Sequence, residues 1–344
     1  MMKKWICAVL LVSALSCFAY AGDVSAGSAI LIDAASGDVL YEKNPDERRL
    51  IASTTKIMTA LVALENCELD EKVEIPKECE RVGGSSMYLR AGDDVTVREL
   101  LYGLLLLSGN DAGLALAYHC GKGDVEAFVM MMNMYAQELG LANTSFENPH
   151  GLDGAHHYST ARDLATLTSY AMQNRIFREI VSTKDITIDG RSMHNHNKLL
   201  WRMEGVCGVK TGFTKAAGRC LVSCAEREGR RFIAVTLSAP DDWNDHEKLY
   251  RAVFDALEEY ELIKAGECAA MVPIMSGGNA EVTYDGDFSM WLTPYEHETA
   301  EIRLHLPSFL YSGKLRGESA GNADIYIRGT RVGSVPLIYG GIGE

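Results

Sequence analysis

The chain has 344 residues, 47% hydrophobic and 23% charged, enough for one large globular domain plus a smaller one, and this composition excludes a disordered polymer. Its formal net charge of -14 argues against nucleic acid or an anionic membrane surface as the main partner, because both attract basic proteins, and favours a small or neutral substrate.

The first residues, "MMKKWICAVLLVSALSCFAYAG", carry Lys3 and Lys4, then an apolar run, then the small-residue pattern Ala19-Tyr20-Ala21. They read as a secretory signal peptide, residues 1–21, with a retained membrane anchor or a lipoprotein at Cys17 as the competing readings. Without Cys7 and Cys17 seven cysteines remain, an odd number that excludes a closed disulfide framework. Cys120, Cys207, Cys220 and Cys224 read as small buried hydrophobes, whereas Cys67 and Cys79 flank a short polar loop and could pair. No C-x-x-C occurs, which leaves a zinc or thioredoxin-type site little support.

From Ser28 to Asn44 apolar and polar residues alternate around Ser36-Gly37-Asp38, which predicts a β-hairpin. A helix is expected from about Ser53. Thr96 to Cys120 reads as two apolar helices interrupted by the turn residues Ser108-Gly109-Asn110-Asp111. "DVEAFVMMMNMYAQELGL" and "STARDLATLTSYAMQ" have helical spacing, the first with a core methionine stripe and the second with Thr160 and Asp163 in capping-box spacing. "RCLVSCA" and "RFIAVTLSA" predict adjacent strands, and "DHEKLYRAVFDALEEYELI" a final amphipathic helix. Beyond Lys264 short alternating segments punctuated by Gly and Pro predict a small β domain. The expected division is therefore a domain over 22–263 and a β domain over 264–344.

Three motifs carry chemistry. Ser53-Thr54-Thr55-Lys56, Ser108-Gly109-Asn110 and Lys210-Thr211-Gly212 follow one another in the S-x-x-K, S-x-N, K-T-G order of penicillin-interacting serine enzymes. Ser53 and Lys56 share a helix face, with Ser53 near the positive end of the dipole and its own N–H free to face a developing oxyanion. A lysine whose pKa is lowered by burial and by the cation Lys210 can take the serine proton. Ser108 is placed to relay a proton to the leaving amine, and Asn110 offers an amide to the substrate's peptide bond. Lys210-Thr211-Gly212 is expected on an edge strand, with Gly212 admitting a substrate backbone and Lys210 and Thr211 holding a terminal carboxylate. Phe213 contributes its main-chain N–H as the second oxyanion donor. The bland readings are an N-cap serine with a snorkelling lysine, a simple turn, and a surface lysine. His150, Asp153, His156 and His157 invite a metal reading, but a Gly-rich loop without i, i+4 ligand spacing reads better as a wall beside the site. Of the "MHNHNK" segment, Asn197 is preferred over His194 and His196 as a polar contact near the cleft.

With "LIDAASGDVLYEKN", "IASTTKIMTA", "SGNDA", "NPHGLDGAHHYSTARDLA" and "GVKTGFTKAAGR", the chain resembles the low-molecular-weight penicillin-binding proteins, D-alanyl-D-alanine carboxypeptidases of the serine peptidase kind. The resemblance implies an α/β (α+β) fold: a β-lactamase/transpeptidase-like domain of helices around an antiparallel sheet, followed by a small β-rich C-terminal domain. It also implies acylation of Ser53 by a peptidoglycan pentapeptide ending in D-Ala-D-Ala, release of D-alanine, hydrolysis of the acyl-enzyme, and acylation by β-lactams outside the cytoplasm. No metal or organic cofactor is implied. Relatives often end in an amphipathic membrane-binding helix; "YGGIGE" comes before any such segment, so C-terminal anchoring is not expected and peripheral membrane or cell-wall association is left open. Relatives also use a basic residue after the last core strand, for which His246, Lys248 and Arg251 are the candidates here. The alternatives are a β-lactamase, with Glu147 as the acidic loop residue, and a non-catalytic cell-wall binding protein.

Overall fold

A computed structural model describes residues 23–312 and 316–343; the signal-peptide expectation lies outside the described residues. The expected hairpin is β1 (Ser28–Asp33) and β2 (Val39–Lys43), its turn closed by Asp33 Oδ1, which accepts from the N–H groups of Ala35 and Ser36. A 3-10 turn (Ala52–Thr55) leads into α1 (Lys56–Asn66). The short pair β3 (Lys72–Val73) and β4 (Val95–Thr96) precedes α2 (Val97–Leu105), α3 (Asn110–Cys120), α4 (Val125–Glu138), α5 (Ala161–Ala171) and α6 (Arg175–Ser182). A small hairpin, β5 (Asp185–Ile188) and β6 (Arg191–His194), and α7 (Leu199–Arg202) then lead to β7 (Val206–Thr214), β8 (Gly218–Arg227), β9 (Arg230–Leu237) and α8 (Asp242–Asp255).

The principal sheet is antiparallel in the order β2-β1-β9-β8-β7, which leaves the strand with the K-T-G motif at an edge. Both of its faces are apolar. Ile30, Ile32, Ile233 and Val235 enter the large core shared with α1 to α6, while the alternate residues Ala29, Leu31, Phe232 and Ala234 pack on Leu249, Tyr250 and Val253 of α8. Every residue of α1 from Lys56 to Ala63 is buried, so this helix runs through the middle of the core. Thr160 caps α5 by accepting from Asp163 N–H, but the Asp163 carboxylate does not return the bond as a capping box would. It accepts instead from Asn143 N–H and Thr144 Oγ1, tying the preceding loop to the helix.

The helix expected over Asp245–Ile263 ends at Asp255. The residues after it form β10 (Glu258–Ile263), followed by β11 (Cys268–Pro273), β12 (Asn279–Tyr284), β13 (Phe288–Leu292), α9 (Pro294–Glu298), β14 (Ala300–His305), β15 (Ser319–Ile327) and β16 (Thr330–Gly343). Strand β10 pairs with β13, and Ile263 is buried in the C-terminal core with Val282, Ala323, Ile325, Leu337 and Tyr339, so cross-strand burial overrides local helix propensity here. That core lies under the sheet β11-β12-β16-β15-β14. Helix α9 is an unforeseen turn, started by Pro294 and by a reciprocal capping box between Thr293 and Glu296. Cys67 meets Cys120 rather than Cys79, which is buried by itself in the helical core.

Candidate active site

Ser53 is the second residue of the 3-10 turn ahead of α1. Ala52 before it is held at φ 47°, a left-handed conformation that costs an alanine roughly 1–2 kcal/mol and is sustained only by its surroundings. Those surroundings are tight: Ala52 O accepts from Thr55 Oγ1, and a Cβ at Gly151 would come within 2.0 Å of that oxygen. Lys56 Nζ lies 2.8 Å from Ser53 Oγ and 2.7 Å from Asn110 Oδ1, and it also donates to the carbonyl of His150. The amine is fully buried among neutral oxygens. Burial drives its pKa well below 10.5, the neighbouring Lys210 adds to that, and Asp111 opposes it.

The interruption between α2 and α3 places Ser108 at φ 60°, nearly buried, its hydroxyl making no hydrogen bond to any described residue. Asn110 is the first residue of α3, and both ends of its amide are engaged within the protein: Oδ1 accepts from Lys56 and Nδ2 donates to Gly83 O at 2.6 Å. In the resting structure this side chain orients the lysine. Asp111, which sequence reasoning passed over, accepts from Ser86 Oγ and from the N–H groups of Met87, Leu89 and Ala112, and so fixes the loop over the start of α3. Its signal was an acid in the first turn of a helix, where the dipole favours it.

On β7, Lys210 is buried and donates to the carbonyl of Thr211 at 2.8 Å; burial pushes its pKa down to about 7. A Cβ at Gly212 would lie 2.9 Å from Ser53 N and 3.1 Å from Ala52 Cβ. The protein itself therefore requires glycine there, in addition to any approach of a substrate backbone. Thr211 is half-buried and the ring of Phe213 is 65% exposed. Thr214 Oγ1 donates to Asp153 Oδ1 at 2.9 Å, which joins β7 to the loop that follows α4.

That loop is the expected wall. His157 Nδ1 accepts from Glu147 N–H, so Nε2 carries the proton and donates to Thr55 Oγ1 at 2.7 Å. Burial lowers its pKa to about 4, and it serves as a neutral strut under the serine. Glu147 Oε2 accepts from His156 N–H within the same loop. Among the described residues no three side chains of metal-binding type cluster. Asn197 is buried: its Oδ1 accepts from Leu199 N–H, and its Nδ2 has no partner among the described residues.

Of the three basic candidates after β9, His246 lies in the interior between Ser223 and Thr236 with its pKa pushed to about 3, so it cannot meet a substrate. Lys248 and Arg251 are exposed on α8. A cation the sequence reading missed, Arg219, stands on β8 directly across from Phe213, held by Asp242 and laid over Trp243.

The proton count defines what Lys56 can do. A neutral amine has two N–H bonds and one lone pair. With Asn110 Oδ1 and His150 O taking the two hydrogens, the lone pair is left for Ser53 Oγ–H. This is a base hydrogen-bonded to the partly accessible hydroxyl of Ser53, whose residue follows the strained Ala52 and whose backbone N–H faces Gly212 of the edge strand, an arrangement suited to acyl transfer.

A family profile described as D-alanyl-D-alanine carboxypeptidase, peptidase S11, matches residues 16–241. D-alanyl-D-alanine carboxypeptidase DacF of Bacillus subtilis (strain 168) is 37% identical over 265 residues, 73% of this chain and 68% of its own length. DacC of Escherichia coli (strain K12) is 35% identical over 339 residues, 92% of this chain and 84% of its own. The crystal structure of penicillin binding protein 5 from Haemophilus influenzae superposes with a TM-score of 0.68 at 30% identity, covering 94% of this chain and 98% of that one.

Proposed function

Since the chain belongs to the D-alanyl-D-alanine carboxypeptidase family of serine peptidases, we propose that the residues gathered around Ser53 carry that activity. The enzyme removes the terminal D-alanine from peptidoglycan stem peptides through an acyl-enzyme, and β-lactams acylate it. Ser53 Oγ attacks the carbonyl of the penultimate D-alanine while its proton passes to neutral Lys56. The oxyanion is held by the N–H groups of Ser53 and Phe213, and Ser108 carries a proton to the leaving amine. Lys210 and Thr211 hold the terminal carboxylate, and Asn110 keeps Lys56 aimed. Water then hydrolyses the ester. The observation that carries this reading is the Lys56 amine, buried and bonded to Ser53, Asn110 and His150. All these residues fall within the proposed domain 22–263. Export by the N-terminal signal places the work in the periplasm or cell-wall space, where the substrate is.

The test is a time course of D-alanine release from a peptide ending in D-Ala-D-Ala, for the protein and for Ser53→Ala, with benzylpenicillin turnover followed in parallel. We expect release that vanishes in the variant and a long-lived penicilloyl adduct on Ser53. Fast penicillin hydrolysis without release would mark a β-lactamase, and neither activity would mark a non-catalytic cell-wall binding protein.

A further inference from the structure

Two pairs of thiols stand apart from the catalytic chemistry, one on each half of the site. Helices α1 and α3 run side by side in the same direction. They are joined at their first residues by the Lys56–Asn110 hydrogen bond, and at their far ends the free thiols of Cys67 and Cys120 lie against each other, beside the 2.7 Å contact of His119 Nε2 with Glu71 Oε2. Each helix has 11 residues, so the two ties are about 16 Å apart. The second pair lies on the sheet. Cys207 is the extra residue of a bulge in β7, next to Gly208, whose partner across the ladder is Cys224 of β8; the Cys207 Sγ is 3.5 Å from the Cys224 carbonyl, and both thiols are free. Cys207 is five residues before Gly212, which abuts Ser53, so this pair also sits at the distal end of its element.

Access is divided within the sheet pair. Cys67, Cys120 and Cys207 are half-buried, whereas Cys224 is fully buried. Cys207 opens onto a cavity of about 310 Å³ whose wall carries Arg175, Arg178 and Arg231 beside Glu179 and Glu226, a setting with room for a small disulfide. Burial, ahead of the contact with Cys207, holds the Cys224 thiol well above its ordinary pKa. In the sheet pair the accessible Cys207 is thus the attacking thiol and the buried Cys224 the resolving one. Of the other described cysteines, Cys79 and Cys220 are buried and Cys268 is exposed.

We propose that Cys67 with Cys120, and Cys207 with Cys224, are two disulfide-forming pairs that lock the motif-bearing elements together at their ends away from the nucleophile. In each, one cysteine's thiolate attacks a donor disulfide and expels one donor thiolate, which takes up its proton. The second cysteine then attacks the mixed disulfide, forming the protein S–S bond and expelling the second donor thiol. Two protein thiols are oxidised and one donor disulfide is reduced to two thiols. The inference rests on the extracytoplasmic location in the proposed function, where oxidising disulfide donors persist.

The full chain, first reduced and then incubated with oxidised glutathione, is unfolded, alkylated with a maleimide and digested with trypsin for mass spectrometry. We expect peptide 57–72 linked to 99–122 and peptide 203–210 linked to 220–227, with fragmentation placing the second bond on Cys224 rather than Cys220. Cys79, Cys220 and Cys268 carry the maleimide. Cys207→Ser should leave Cys224 alkylated and the Cys67–Cys120 link intact, showing two independent pairs. Maleimide on every cysteine beyond residue 21, or links of Cys67 to Cys79 or of Cys207 to Cys220, would overturn the proposal. Linked pairs in a protein that releases no D-alanine would leave this inference standing and remove the activity, and the reverse result would do the opposite.

Discussion

Lys56 must lose its proton before it can accept one from Ser53, and its surroundings favour that loss: burial strips water from the ammonium, and the nearby charge of Lys210 repels it. The rate of D-alanine release should therefore rise with pH along a limb whose midpoint lies well below 10.5. Lys210, with its pKa pushed to about 7, loses its charge above neutrality, and if it holds the substrate carboxylate the rate falls again there. The bell belongs to the pair, since the two lysines interact. Lys210→Gln removes the cation that depresses Lys56, so the ascending limb should move to higher pH and the descending limb disappear. An unchanged kcat/KM profile in this variant would refute the assigned roles. Gly212→Ala tests the oxyanion side: its Cβ would lie 2.9 Å from Ser53 N, and the expected loss is about 10²–10³ in kcat, the cost of one oxyanion donor.

At the scale of elements, the loop wall and the helix behind the sheet depend on histidines that stay neutral. His150 and His157 have pKa values near 4 and His246 near 3, all lowered chiefly by burial. Between those values and 6.5 the unfolded chain binds more protons than the folded one. Stability therefore falls as the pH drops from 6.5, by up to about 1.4 kcal/mol per pH unit for each histidine. Urea unfolding at pH 7, 5.5 and 4.5 should show this slope, and His246→Gln should reduce it by about one histidine's share; an equal slope would locate the acid sensitivity elsewhere. None of this was legible in the sequence, because His157 finds Thr55 across 102 positions and His246 meets Thr236 only once α8 packs on the sheet. What could be read was local. The three motifs, the β1–β2 hairpin, the turn before Asn110 and the Thr160 cap depend on neighbouring residues, and the structure gathers Ser53, Lys56 and Asn110 in one hydrogen-bonded group. The miss was at a junction, where α8 gives way to β10 after Asp255, and the hold of Gly83 on Asn110 likewise depends on tertiary contacts.

Across the whole molecule, one buried ion cluster connects the catalytic sheet to the C-terminal β region. Arg230 at the start of β9 donates to Asp33 of β1 and, through both terminal nitrogens, to Glu296 of α9, with all three side chains under 10% exposed. Glu296 also accepts from Thr293 N–H and Oγ1, so its carboxylate both starts α9 and fixes that helix to the first sheet. Removing one partner from such a group leaves an uncompensated buried charge and typically costs about 3–5 kcal/mol. Glu296→Gln keeps a capping side chain, because glutamine can occupy that position of a capping box, but deletes the charge. The expected loss is at the lower end of that range, since Asp33 still partners Arg230. The arginine holds the Glu296 carboxyl below its ordinary pKa, so in the unaltered protein this contribution is full above about 4.5 and fades as the pH falls through the folded value. The variant should therefore resemble the unaltered protein at low pH and fall behind it at pH 7. Because the cluster contains none of the residues around Ser53, D-alanine release at 25 °C should be retained. Guanidinium unfolding followed both by Trp291 fluorescence change, in a background with the other tryptophans replaced by phenylalanine, and by loss of D-alanine release would give coincident transitions in the parent and separated ones in Glu296→Gln. Coincident curves at unchanged midpoint in the variant would mean that apolar packing alone, without this ion cluster, couples the two regions.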